Sequence, residues 1–300
     1  MILFSFSNCL HIGRELQAIP LLCLGQFAVA RYDNQELHAF VQGPVSGEHC
    51  LILGSISPPD EQMLSLMLLA HTLKKGRIRS RLSFRTLPIA DRTKISPEKA
   101  WQPPGLGPFL EASESMRYLL STCTANAANN YSPCRCSLST ADLFAAALKK
   151  HQLTAATIVA PDNGAISRCE AVKSAAGMPI GDTPYFEKKR TEKGIIHLGL
   201  IGNVGSRVVL IDDMLDTGGT LISACEQLRT AKVEEIYILV SHGLFTGTGW
   251  TKLWSHGVKH IFCTDTVPLR AGIEITNITV LSVVPLLREC LSSMDGETRS

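Results

Sequence analysis

The stretch Asp212-Asp213-Met214-Leu215-Asp216-Thr217-Gly218-Gly219-Thr220 carries the densest chemistry in the chain. Ionised aspartate accepts hydrogen bonds and donates none, so the Asp212–Asp213 pair suits the vicinal hydroxyls of a sugar. Gly218 and Gly219 let backbone N–H groups turn toward a ligand, and the N-terminus of a following helix favours an anion. Thr217 and Thr220 add hydroxyl donors. Together these groups read as a sugar-phosphate site. A solvated strand-to-helix turn uses the same residue types, and for Asp212-Asp213 alone that plainer reading would lead.

Other residues could join such a site. Asp162-Asn163-Gly164 follows an apolar strand candidate, Thr157 to Pro161. Asp162 is placed to hold Mg²⁺ or its water shell, since magnesium takes few protein carboxylates and leans on substrate phosphates. The alternative is a turn that caps the next helix. Lys188 and Arg190 lie in the charge run Tyr185 to Gly194. Such a run is ordinarily a solvated hairpin loop, though Lys and Arg can also close over charge that develops on a phosphate; another register would offer Lys189. Tyr32, Asn34 and Glu36 surround an Asp-Asn turn between two strands. Arg92 and Lys94 fall in a proline-punctuated stretch, either as phosphate donors or as a solvated basic loop. His242 ends an apolar strand and reads as a hydrogen-bonded structural histidine rather than a base.

The elements that must position these residues follow from pattern. Arg207 to Ile211 is an apolar, β-branched run, as in a buried parallel strand. A loop over Asp212 to Gly219 and a helix over Thr220 to Thr230 follow, then a strand over Ile236 to His242. The same order occurs earlier: a strand over Gly47 to Leu53, a loop over Ser55 to Asp60, a helix over Glu61 to Lys74 and a strand over Arg81 to Pro88. The chain therefore reads as two copies of one α/β unit, and only the second carries the acidic pair and Gly218-Gly219-Thr220. A strand over Ile2 to Ser7, a helix over Arg14 to Leu22, a helix over Leu138 to Lys150, and a last strand and helix over Thr279 to Cys290 complete the pattern.

The 300 residues, 45% of them hydrophobic, can bury two ordinary cores. A net charge of +2 suggests no nucleic-acid partner. No apolar run reaches transmembrane length, and Met1 to Ser7 lacks the basic start of a signal peptide. The ten cysteines show no CxxC zinc spacing. A reduced cytoplasmic setting is expected, with most cysteines as small buried residues.

Asp212 to Thr220 resembles the phosphoribosyl-diphosphate-binding motif of the type I phosphoribosyltransferase fold. Pro161-Asp162-Asn163-Gly164-Ala165-Ile166-Ser167-Arg168, Ser241-His242-Gly243-Leu244-Phe245-Thr246-Gly247 and Phe262 to Pro268 are similar to ribose-phosphate diphosphokinase segments in the same order. Tyr32-Asp33-Asn34-Gln35-Glu36 is similar to that family's Phe-Ser-Asn-Gln-Glu. The resemblance implies tandem type I phosphoribosyltransferase-like domains, over 1–141 and 142–300, each a mainly parallel sheet flanked by helices. It also implies that the terminal helix, 284–300, packs on the first domain.

The family reaction transfers diphosphate from ATP to ribose 5-phosphate. By residue matching, Asp216, Thr217, Gly218, Gly219 and Thr220 would hold the 5-phosphate, and Asp212 and Asp213 the 2- and 3-hydroxyls. Lys188 and Arg190 would stabilise the transferring group, and Asp162 would engage Mg²⁺. Tyr32, Asn34, Glu36, Arg92 and Lys94 would meet ATP. A homo-oligomer, dimer or hexamer, is implied in the same way. One departure stands out: the family's metal-binding histidine has no counterpart, because no histidine lies between His71 and His151. Asn126, Asn129 and Asn130 stand near its place. The alternatives are a non-catalytic, synthetase-like regulatory subunit and a phosphoribosyltransferase. A dinucleotide binder is disfavoured, since no Gly-x-Gly-x-x-Gly follows a strand.

Overall fold

The computed structural model describes residues 1–45, 48, 50–55, 61–75, 83–87, 139–191 and 194–297. They fall into two compact units, Met1–Leu138 with Val284–Ser300, and Ser139–Val283. Each unit is α/β, with a parallel sheet flanked by helices.

The first unit contains β1 (Ile2–Ser5), α1 (Leu10–Leu16), β2 (Cys23–Leu24), the hairpin β3 (Gln26–Arg31) and β4 (Leu37–Gln42), β5 (Cys50–Ser55), α2 (Glu61–Lys75) and β6 (Ser83–Leu87). Its parallel sheet has the order β2-β1-β5-β6. Phe4, Cys50 and Ile52 pack against Leu66, Leu69 and Leu73, which share one face of α2 by their i, i+3, i+7 spacing. α1 begins and ends earlier than the expected Arg14 to Leu22. Ile12 and Leu16 are its buried face, and Pro20 disfavours helix in the residues leading to it.

The second unit contains α3 (Ala141–Lys150), β7 (Thr157–Val159), α4 (Ile166–Ala176), the antiparallel pair β8 (Tyr185–Thr191) and β9 (Gly194–Ile201), β10 (Arg207–Leu215), α5 (Gly219–Thr230), β11 (Glu235–Gly243), β12 (Val258–Thr264) and β13 (Ile278–Leu281). The last helix, α6 (Val284–Glu297), belongs to the first unit, where Arg288 donates to the Glu15 carbonyl at 2.9 Å.

The sheet of the second unit runs β13-β12-β11-β10-β7, all parallel. Alternation along β10 builds a core on each side of it. Val208 and Leu210 pack with Leu221, Ala224, Cys225 and Leu228 of α5. Val209 and Ile211 pack with Phe144 and Leu148 of α3 and Cys169 and Val172 of α4. Full burial of each such aliphatic contributes about 1.5–3 kcal/mol. That explains why a strand buried on both faces reads as an unbroken apolar run.

Among the described residues, Cys9 is buried, Cys50, Cys169, Cys225 and Cys263 are buried free thiols and Cys23 is exposed, while Cys290 is disulfide-bonded. Burial pushes the thiols of Cys169, Cys225 and Cys263 up to about 12. Such thiols are packing residues, not nucleophiles. Among the described residues no helix is long and apolar enough to cross a membrane.

Candidate functional site

The expected loop starts later than its sequence suggests. β10 continues through Asp212 and Asp213 to Leu215, because Asp212, Met214 and Leu215 keep their ladder partners Val240, His242 and Gly243. The acidic pair therefore lies within the C-terminal end of a rigid central strand. Only Asp216, Thr217 and Gly218 remain as the connection to α5.

That connection is fixed from several directions. The Leu244 and Phe245 N–H groups donate to the Leu215 carbonyl at 2.9 and 3.1 Å, and the Thr246 N–H donates to the Asp216 carbonyl at 3.1 Å. Gly218 has φ +86°, in the left-handed region that favours glycine. A Cβ on Gly219 would meet nothing within 4 Å. Gly219 opens α5, whose first N–H groups have no acceptor within the helix. Thr217 and Gly219 are exposed, and Thr220 and Asp216 are half-buried. The predicted phosphate residues are thus one short turn at a helix N-terminus, as the sequence implied.

Asp162 stands on the neighbouring strand. β7 pairs with β10 so that Val159 faces Leu210. The turn after β7 therefore comes beside the acidic end of β10. Asp162 Oδ1 accepts from the Ala165 N–H at 3.0 Å and caps a 3-10 turn, Asn163–Ala165, that leads into α4. The capping role foreseen as an alternative is present.

Arg168 is the residue whose role the sequence did not disclose. It lies in the first turn of α4, and its guanidinium nitrogens are 3.6 Å from Asp212 Oδ1 and 3.6 Å from Asp213 Oδ2. One cation thus spans both members of the pair. A signal was available: a cation in the first turn opposes the helix dipole, so it calls for an anionic partner.

The Asp213 N–H also donates to Asp212 Oδ1 at 2.8 Å. Burial, together with the Asp213 charge, holds the Asp212 carboxyl well above the usual carboxylate range, and Arg168 only partly offsets this. Desolvation and a like charge favour a shared proton.

His242 is buried, and its Nδ1 is 2.8 Å from Thr266 Oγ1. Burial pushes its imidazole down to about 4, against the raising effect of Asp213. It is a neutral, hydrogen-bonded residue. Thr264 and Thr266 Oγ1 donate to the Ser241 carbonyl at 2.5 and 2.9 Å and fix the end of β11.

Lys188 and Arg190 lie in strand β8 and not in a loop: the backbone register sets Lys188 opposite His197 and Arg190 opposite Ile195. Their side chains, and residues 192–193, lie outside what is described. β8 starts beside the Asp162 turn, since the Phe186 N–H donates to the Ala160 carbonyl at 3.2 Å and Ala160 bridges Tyr185. The segment before β8 is held by buried Lys173. Its Nζ donates to the Gly181 carbonyl at 2.7 Å and Thr183 Oγ1 at 3.1 Å and pairs with Glu170 at 3.0 Å.

Tyr32, Asn34 and Glu36 belong to the first unit. They are exposed at the β3–β4 turn, where the Glu36 N–H donates to Asn34 Oδ1 at 3.1 Å and the Tyr32 and His38 rings stack at 3.9 Å. Arg92, Lys94, Asn126, Asn129 and Asn130 lie outside the described residues.

Among the described residues no group of three or more His, Cys, Asp and Glu is placed to hold a metal ion. Magnesium does not require one, since it keeps several waters and takes one or two carboxylates plus phosphate oxygens. Asp162, on the turn after β7 and beside the end of β10, fits that donor set.

The profile of the phosphoribosyl synthetase-associated domain matches residues 157–297. A ribose-phosphate pyrophosphokinase of Haemophilus ducreyi is 25% identical over 304 residues, covering 98% of this chain and 96% of that protein. The protein of that name from Caldanaerobacter subterraneus is 32% identical over 136 residues, 45% of this chain and 42% of its own length. The crystal structure of a phosphoribosylpyrophosphate synthetase from Mycobacterium smegmatis aligns with a TM-score of 0.72 at 19% identity, covering 99% of both chains. The resemblance to ribose-phosphate diphosphokinases therefore extends along nearly the whole chain, and the fold is theirs.

Proposed function

We propose that this chain is a ribose-phosphate diphosphokinase, transferring the diphosphoryl group of ATP to ribose 5-phosphate. The observation that carries the reading is the end-to-end order acidic pair, short turn, helix N-terminus along β10 and α5, with Asp162 on the adjoining strand. In parallel α/β sheets the carboxyl ends of the strands are where ligands bind.

The 5-phosphate lies on the N–H groups that open α5, with the Thr217 and Thr220 hydroxyls as further donors. Asp212 and Asp213 take the 2- and 3-hydroxyls, and the proton favoured on Asp212 lets one member donate while the other accepts. This fixes the pentose with its 1-hydroxyl free. The 1-oxygen attacks the β-phosphorus of ATP, the bond from that phosphorus to the α,β-bridging oxygen breaks, AMP leaves and the hydroxyl proton passes to solvent. His242 is buried, neutral and turned to Thr266, so it is not the base. Lys188 and Arg190 stabilise the charge that develops on the transferring group. Mg²⁺, held by Asp162 and the substrate phosphates, supplies charge neutralisation when bound. Tyr32, Asn34 and Glu36, with Arg92 and Lys94, serve ATP, and a homo-oligomer is part of the proposal.

The test is a coupled assay for AMP release from ATP, with and without ribose 5-phosphate. Release that requires ribose 5-phosphate is expected. One observation favours a second reading, a regulatory subunit: no histidine lies between His71 and His151. That reading predicts ribose 5-phosphate binding with no AMP release.

A further inference from the structure

The turn proposed to hold the 5-phosphate has an open side and a closed side. The open side is at Gly219, where a Cβ would meet nothing within 4 Å. The closed side is the backbone of a 3-10 helix, Gly249–His256. A Cβ on Gly218 would lie 2.8 Å from Trp250 Cα and 3.0 Å from Trp250 Cβ, and a Cβ on Gly249 would lie 3.1 Å from the Thr217 carbonyl oxygen. Two backbones therefore touch with a glycine on each side of the contact.

The side chain of Trp250 holds that backbone in place. It is only 6% exposed and lies in the core that includes Leu221 of α5. Its ring meets Phe245 edge-on at 4.8 Å, and its Nε1–H donates to the Gly247 carbonyl at 3.2 Å. Phe245 is itself held at φ +49° while its N–H donates to the Leu215 carbonyl at the end of β10. The indole thus ties the strand end, the turn and the helix start to one anchor. The contacts of its ring named here, with Phe245 and Gly247, are with residues that are not proposed to touch substrate.

We infer that Trp250 is a positioning residue: it backs the Asp216–Gly219 turn so that the N–H groups of the turn and of the first turn of α5 stay aimed at one anion. This rests on the sugar-phosphate assignment of the turn but not on diphosphoryl transfer. An anion cradle gains from being set before the ligand arrives, because ordering then costs nothing on binding.

The test uses the full chain. Trp250→Ala removes the anchor, and Trp250→Phe keeps a ring against Phe245. Calorimetry with ribose 5-phosphate and, separately, with ATP should show the alanine variant weakened about tenfold for ribose 5-phosphate alone, as misplaced groups cost affinity steeply. The phenylalanine variant should stay close to wild type. Equal weakening toward both ligands would mean a general structural role and overturn the inference, as would unchanged ribose 5-phosphate affinity in a folded alanine variant.

Should the alanine variant not fold, a second measurement decides. Replacing Trp101 and Trp254 with Phe leaves Trp250 as the sole indole, since the chain has three tryptophans. Because the anchor is set before the ligand arrives, its emission should stay unchanged at saturating ribose 5-phosphate; a shift on ribose 5-phosphate binding, with the indole rearranging around the ligand, would overturn the inference. Neither measurement needs AMP release, so failure of the enzymatic reading and failure of this one are read separately.

Discussion

Arg168 and Asp212 show how a single side chain's environment sets its chemistry. The carboxyl pair is partly neutralised by one guanidinium and partly by burial, so it does not stand as two bare charges. Asp212→Asn with Asp213→Asn is expected to weaken ribose 5-phosphate at least about tenfold, since hydrogen bonds to charged groups contribute roughly 1.5–3 kcal/mol. Unchanged affinity by calorimetry on the folded double variant would sink the assignment.

Two buried groups also give the unliganded protein a pH signature. Burial and the neighbouring Asp213 charge raise the Asp212 carboxyl above its ordinary value of 3.8, so its contribution to stability falls as pH rises from there into the alkaline range. His242 behaves oppositely in acid. Its imidazole lies at about 4 in the folded protein against an ordinary 6.5, so stability is lost as pH falls through that window. Asp212→Asn should raise Tm at pH 8 relative to wild type and flatten the alkaline limb, by ~2–4 °C for each 1 kcal/mol gained. A Tm at pH 8 equal to or below that of wild type would contradict the burial argument.

The β8–β9 ribbon and the β10–α5 turn divide the work between elements. The turn is tied into the sheet through Leu215 and Asp216, whereas the ribbon is tied at its base through Phe186 and the Lys173 cluster. A two-stranded ribbon tied at its base can carry cations toward a bound ligand at little cost to the core. Lys188→Ala and Arg190→Ala are therefore expected to lower kcat by orders of magnitude while ribose 5-phosphate binding changes little, as befits contacts made mainly in the transition state. Turnover close to wild type in both variants would leave the ribbon as a solvated hairpin.

At the scale of the whole chain, one α/β plan occurs twice, and the acidic pair with Gly218-Gly219-Thr220 belongs to the second copy. In the first unit β1 leads through the 3-10 turn Ser7–Cys9 into α1, and β1 pairs with β5; in the second, β7 leads through Asn163–Ala165 into α4, and β7 pairs with β10. Phe6 precedes the turn in the first unit where Asp162 precedes it in the second. The first unit thus has no carboxylate at the position equivalent to Asp162. With no histidine between His71 and His151 to join Asp162, magnesium binding should be weak but present. AMP release is expected only at raised free Mg²⁺ or with Mn²⁺, and it should vanish in Asp162→Ala. Full activity at low magnesium would refute the weakened-site argument, and no release at any concentration would leave the regulatory reading in its place.

By itself the sequence determined whatever depends on short spacing. The apolar run Val208–Ile211, the glycines at 218 and 219 and the acidic pair already specified a buried strand, a turn and a helix start. The doubled strand–helix–strand order specified the α/β plan. These are local signals, because period and backbone freedom act within a few residues. Where the elements ended was less legible. β10 runs on through Asp212 because β11 supplies its ladder, and α1 is set by the buried face of Ile12 and Leu16. Only the tertiary structure decided what depends on neighbours distant along the chain. It brought Arg168 to the acidic pair, raised the Asp212 carboxyl through burial, turned His242 to Thr266 and set Trp250 behind Gly218. Charge state and close approach are properties of an environment, and a string of residue types does not contain one until the chain has folded.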